Sequence, residues 1–245
     1  DGSMAAGIWG NDVVAIYTVG ESGTITVYAD GESAYGIGSG NSIGITGSMD
    51  GTITVTSSDY TYGIYGDEVT IGGIGGTITV NSGGEAYGIY ADSTLTVGDI
   101  DGDISVISDG SNATGLLANE EIEIGDIGGN ITVSSDGSGA YGIWSDDGDF
   151  VAIGDISGDI TVTAGSNYAY GITSWVGALE IGDISGDITV TADGSQAWGL
   201  YAYESYIETG DISGSIVVSA TDDVYGMISE IDEAESERRA RELAE

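Results

Sequence analysis

One nine-residue unit, Gly182-Asp183-Ile184-Ser185-Gly186-Asp187-Ile188-Thr189-Val190, returns along the chain at almost fixed intervals, and this repetition narrows the accessible folds more than any other feature. Copies begin at Gly98, Gly125, Gly154 and Gly210. The first isoleucine of the Ile-Thr-Val core falls at Ile25, Ile53, Ile78, Ile104, Ile131, Ile160, Ile188 and Ile216, giving spacings of 28, 25, 26, 27, 29, 28 and 28 residues. A second motif keeps the same beat, as in Ala34-Tyr35-Gly36-Ile37, Ala86-Tyr87-Gly88-Ile89, Ala140-Tyr141-Gly142-Ile143 and Ala197-Trp198-Gly199-Leu200, and it occurs nine times between Ala6 and Met227. A unit this short cannot bury a face alone, so its copies must stack into a solenoid.

Within a unit, three short β-runs alternate with Gly-rich or Asp-rich corners. In the unit from Ala140 to Gly165 they are residues 140–144, 150–153 and 160–163. Ile160 and Val162 alternate with Thr161 and Thr163, a period of two that buries one face and wets the other. The reading is an all-β fold: a single parallel β-helix, or β-solenoid, with three strands per coil and about 27–28 residues per coil. Isoleucine stacks on isoleucine from Ile25 to Ile216, and valine on valine from Val27 to Val218. Each such buried side chain contributes roughly 1.5–3 kcal/mol. Forty-four Gly and no Pro fit this, since glycine permits corners and close backbone approach while every amide remains free to join a ladder.

Three domains of composition follow. Residues 1–4 have the look of a cloning scar, residues 5–228 form the β-helix, and residues 229–245 read as a C-terminal capping α-helix. That last segment opens on a Ser229 capping box and carries Glu235/Arg239 and Glu237/Arg241 pairs at i,i+4. Its expected role is to cover the open strand edges of the last coil. The N-terminal coil has no such cover, so the rod reads as cut from a longer one, with end-to-end self-association expected there.

The charge balance is 41 acidic residues against 3 basic ones, and all three bases are Arg238, Arg239 and Arg241. With no cation from Asp1 to Glu237, nucleic acid and anionic membrane are not expected partners. There is no Cys and no His, and no run approaches the roughly 18 apolar residues of a membrane span. Two carboxylates suffice for glycoside hydrolysis. Near-constant spacing, however, leaves no long loops to wall a cleft, and the body has no Lys, Arg or His, so the chain is not expected to be an enzyme.

Three columns carry the remaining candidate chemistry. Asp99, Asp126, Asp155, Asp183 and Asp211 occupy the same corner of five successive coils. Calcium is the one candidate cofactor for that column, since it takes six to eight oxygens, while the alternative is corner chemistry in which Asp bonds nearby amides. A second column, Asp103, Asp159 and Asp187, is interrupted by Asn130 and Ser215. The aromatic column Tyr35, Tyr62, Tyr87, Tyr141, Tyr170, Trp198 and Tyr225 is either a glycan-stacking strip or an inward-packed ladder. Strand alternation favours inward packing, because the ring shares parity with the apolar fourth residue of the run. Thr-x-Thr rows such as Thr52/Thr54/Thr56 and Thr161/Thr163 resemble the arrays of ice-binding proteins, but the aspartates at their head break the surface, and β-propensity accounts for them better.

The Ala-Tyr-Gly-Ile and Gly-Asp-Ile-Ser-Gly-Asp-Ile-Thr-Val units over residues 5–228 resemble repeats in the passenger regions of bacterial autotransporter surface proteins. The resemblance implies a right-handed parallel β-helix, exported and displayed on the bacterial cell surface as an adhesin or stalk, with a host or cell-surface receptor or glycan as partner. It implies fold more specifically than function, because the matching residues are structural. A scaffold taken from such a protein and capped, and a calcium-stiffened binding module, are the alternative readings.

Overall fold

The computed structural model describes residues 4–31, 33–148 and 150–230. Its twenty-five strands fall into three parallel sheets of nine, eight and eight strands, each sheet taking every third strand in order. One coil shows the plan: Gly139–Ser145 lies in the first sheet, Phe150–Ile153 in the second and Ile160–Ala164 in the third. The parallel β-solenoid with three strands per coil is therefore the fold, and the isoleucine and valine columns pair as the repeat predicts, Ile25 to Ile216 and Val27 to Val218 without a slip. Such exact stacking arises because a one-residue slip would turn every inward side chain outward.

The core is the lumen. Ile131, Ile160 and Ile188 of the third sheet, Ile143 and Ile172 of the first and Val151 and Leu179 of the second are fully buried. At the Gly-Asp corner a further isoleucine pairs from coil to coil as Ile100, Ile127, Ile156, Ile184 and Ile212; the first four are fully buried, and Ile212, in the last coil, is 43% exposed. Serines at the inner end of the third-sheet strands stay satisfied by donating to a carbonyl of the preceding coil, as Ser82 does to Asp59 and Ser135 to Ser111. The unequal spacing of the early coils is absorbed by an irregularity between Ile45 and Ser48, where strand Ser42–Met49 pairs with Glu68–Ile74.

At the ends, Met4 already pairs with Ser33, and the last strand, Asp223–Glu230, carries Ser229 and Glu230 in register with Ala202 and Tyr203. The capping helix expected over residues 229–245 therefore does not begin at Ser229, because Ser229 and Glu230 continue this strand; residues 231–245 lie outside the described residues, as do residues 1–3 of the expected scar. Among the described residues no helix is long and apolar enough to cross a membrane.

Candidate functional surfaces

The solenoid presents four surface features: two polar ladders, an aromatic seam and a trough. The first ladder unites all five predicted corner aspartates. Asp126, Asp155, Asp183 and Asp211 each donate the backbone N–H to Oδ1 of the aspartate one coil earlier, at 3.0, 2.9, 2.8 and 2.8 Å. The carboxylates of Asp99, Asp126, Asp155 and Asp183 are thus acceptors for amides that the corner would otherwise leave without a strand partner. Glycine precedes aspartate for a matching reason: a Cβ on Gly182 would stand 2.3 Å from Asp155 Oδ1, in the space the carboxylate needs.

The second ladder follows the same logic across its interruptions. Asn130 N–H donates to Asp103 Oδ1 at 2.9 Å, Asp159 N–H to Asn130 Oδ1 at 3.1 Å, Asp187 N–H to Asp159 Oδ1 at 2.9 Å, and Ser215 N–H and Oγ to Asp187 Oδ1 at 3.0 and 2.7 Å. The Ser215 hydroxyl, and then its amide, hold the Asp187 carboxyl below the usual range for aspartate. A carboxyl lowered in the fold favours folding once it is ionised, and that contribution disappears as pH falls through its folded value.

Because Asn130 already serves as a rung, Asp155→Asn should leave the melting midpoint nearly unchanged, whereas Asp155→Ala, which removes the acceptor, should lower it by about 2–4 °C. Equal midpoints for the two variants in thermal melts would show that the ladder is not what these side chains supply. Among the described residues, no group of three or more acidic, histidine or cysteine side chains is placed to hold a metal ion.

The aromatic column corrects the inward packing that alternation favours. Its rings lie outside the lumen. At Gly142 and Ile143 two successive residues face inward: a Cβ on Gly142 would meet Val162 Cγ2 at 3.1 Å and Ile160 Cγ2 at 3.2 Å, while Ile143 is wholly buried. The glycine therefore resets the parity of the strand, and Tyr141 before it and Trp144 after it share the outer face. A second set of aromatics that sequence reasoning missed, Tyr65, Tyr90, Trp144 and Tyr201, stands beside the first because of this reset, in a column interrupted by Leu117 and Thr173.

The rings cover one another. Tyr35 and Tyr62 stack with centroids 4.9 Å apart, Tyr62 and Tyr87 at 5.1 Å, Tyr141 and Tyr170 at 5.2 Å, and Tyr170 and Trp198 at 4.3 Å. Tyr170, Trp198 and Tyr201 form a buried cluster of their own, separate from the lumen. Each aromatic pair contributes about 0.5–1.5 kcal/mol beyond area burial. The stacked geometry turns edges and hydroxyls outward, so a sugar ring meets few free faces; Tyr65 and Tyr87 hydroxyls donate to Asp92 and Glu85, both at 2.7 Å.

Burial in the seam pushes the Tyr62, Tyr65, Tyr87 and Tyr170 phenols well above the usual tyrosine range, with neighbouring carboxylates and phenols adding to the shift. A phenol raised in the fold contributes its full stabilisation below about pH 10 and loses it as pH rises towards the folded value. In an alkaline titration the native protein's phenolate absorbance should therefore lag behind that of the urea-unfolded chain and then rise cooperatively as the rod opens. Superimposable curves would mean that the seam does not protect its rings.

The outward threonines are in register, Thr26, Thr54 and Thr79 in early coils and Thr132, Thr161 and Thr189 in later ones, with Ser105 between and Val217 at the end. Tyr28, 70% exposed, and Ile107, 41% exposed, interrupt the neighbouring column.

The trough lies along the outer side of the second sheet, with a volume of about 670 Å³, and carries Glu123, Glu180 and Glu208. Sequence reasoning did not single out these glutamates, because their strands are short and vary from coil to coil. Comparison with protein-family models, with curated proteins and with solved structures gives no match.

Proposed function

We propose that the chain is a non-enzymatic structural segment, a stiff acidic rod of the kind that holds other parts of a bacterial surface protein away from the cell, as in autotransporter-like stalks and adhesins. The observation that carries this reading is the register of the three sheets, continuous from coil to coil apart from the single irregularity between Ile45 and Ser48. Neighbouring coils are joined along every described strand, and coil length varies by only a few residues, which suits a load-bearing rod. Parallel strands about 4.8 Å apart give eight coils a length of roughly 40 Å, with backbone hydrogen bonds running along the axis. The net charge of −38 keeps such a surface solvated and opposes side-by-side association.

A rod of stacked coils should resist stretching and then fail in units. Pulled between residues at its two ends, the protein should hold its length and then lengthen in discrete steps, each the contour of one coil of about 27 residues or a small multiple of it, roughly 90 Å per coil. Smooth, entropic extension with no steps would remove the load-bearing reading.

A further inference from the structure

All four tryptophans of the chain lie in the aromatic seam, and each touches a tyrosine ring: Trp9 touches Tyr35 at 5.0 Å between centroids, Trp144 touches Tyr141 at 4.4 Å, Trp175 touches Tyr201 at 6.1 Å and Trp198 touches Tyr170 at 4.3 Å. Trp9 opens a continuous block. From Tyr35 the contacts run to Tyr62 at 4.9 Å and on to Tyr87 at 5.1 Å, with Tyr65 and Tyr90 each 5.2 Å from the ring beside them. The block stops at the next coil, where Thr114 and Leu117 fill the two aromatic columns. Tyr141 and Trp144 therefore stand two strand spacings, roughly 9.6 Å, beyond Tyr87 and Tyr90. Electron exchange between rings falls steeply with separation, so contact joins the rings of a block and the missing rung divides one block from the next.

Two tyrosines of the first block also hold a proton acceptor. Tyr65 donates its hydroxyl to Asp92 Oδ2 and Tyr87 donates to Glu85 Oε2, both at 2.7 Å. A phenol that loses an electron becomes a strong acid, and it is oxidised most readily where a base already receives its proton. The Trp9 indole lacks such a base, since its N–H donates to the amide oxygen of Asn11 at 3.1 Å.

We propose that this block conducts oxidising equivalents, carrying an electron vacancy from Trp9 to Tyr65 or Tyr87, an activity separate from the load-bearing role. Trp9 is partly exposed. Its indole gives one electron to an oxygen-derived one-electron oxidant and becomes a radical cation. Tyr65 or Tyr87 then returns an electron to the indole across Tyr35 and Tyr62, and passes its hydroxyl proton to Asp92 or Glu85. The products are the restored indole, a phenoxyl radical and a carboxylic acid, with the oxidant reduced by one electron. The chain has no cysteine to intercept the vacancy on the way.

Pulse radiolysis with azide radicals, a one-electron oxidant that favours indole, tests the path in the full chain carrying Trp144→Phe, Trp175→Phe and Trp198→Phe, so that Trp9 is the one point of entry. Indole-radical absorbance should decay as phenoxyl absorbance rises, in a first-order step whose rate does not depend on protein concentration. Adding Glu85→Gln/Asp92→Asn, which keeps oxygen acceptors but removes the bases, should slow the step at least tenfold. Replacing Tyr35, Tyr62, Tyr65, Tyr87 and Tyr90 by Phe keeps aromatic stacking and should abolish the step, although the other ten of the fifteen tyrosines remain. Tyr17→Phe/Tyr28→Phe, at tyrosines 83% and 70% exposed and outside the seam, should change the rate less than twofold. Melting curves verify that each variant folds. A rate proportional to protein concentration would make the transfer intermolecular and overturn the proposal. So would an undiminished step in the five-Phe variant, or a rate unmoved by Glu85→Gln/Asp92→Asn.

Discussion

Val190→Asp should open the rod around one coil and lower its melting midpoint by roughly 10 °C or more. Val190 is fully buried and stacked between Val162 and Val218, with hydrocarbon on every side. The body has no cation to pair with a new carboxylate. An uncompensated buried charge costs about 3–5 kcal/mol, and for a chain of this length each kcal/mol moves the midpoint by about 2–4 °C. Because each coil touches only its neighbours, the damage should spread locally, and hydrogen exchange should quicken first in the coils on either side of residue 190. Thr189→Ala, one residue away on the wet face, should change stability by no more than about 0.5 kcal/mol. Similar melts for the two variants would contradict the inward and outward assignment of the third sheet.

Gly158→Ala should be nearly as damaging, for a reason that involves no polarity. A Cβ at this position would lie 1.9 Å from the carbonyl oxygen of Gly129 and 2.6 Å from its carbonyl carbon, both backbone atoms of the coil below. The backbone can yield only by parting two coils that are hydrogen-bonded along three sheets, so the cost should reach or exceed the 1–3 kcal/mol usual for overpacking. Gly44→Ala is the matched control. Nothing lies within 4 Å of a Cβ there, and removing backbone freedom from the unfolded chain should stabilise the protein by about 0.4–1 kcal/mol. Opposite signs from the same chemical change are the expected result in denaturant titrations. Losses of similar size at both sites would mean that glycine serves backbone conformation and not space. The geometry already argues for space, since among the described residues no glycine has a left-handed φ and only Glu204, at φ 59°, enters that region.

The fold was legible because its determinants repeat. The spacing of Ile25 to Ile216 gives the coil, and the alternation of Ile160, Thr161 and Val162 gives the face. The corner column of Asp99, Asp126, Asp155, Asp183 and Asp211 could also be read directly, including the preference of aspartate for corner amides. The identity of each amide could not, because Asp126 N–H and Asp99 Oδ1 meet only once two coils are stacked. Alternation misled at Tyr141-Gly142-Ile143, where a residue without Cβ lets two successive positions face the lumen and moves a whole aromatic column to the outside. The trough was hidden for another reason: it is built from what is missing at Ala152 and at the corner glycines, and vacancies leave no periodic signal.

The most direct test of a rigid in-register rod is a set of distances along one column. The chain has no cysteine, so spin labels can be placed at will. Thr79, Thr54 and Thr26 lie four, five and six coils from Thr189 on the same outward column. Pulsed electron spin resonance on the pairs 79/189, 54/189 and 26/189 should give narrow distributions whose centres increase by about 4.8 Å per coil. Broad distributions, or centres that fail to lengthen with each added coil, would contradict the rod.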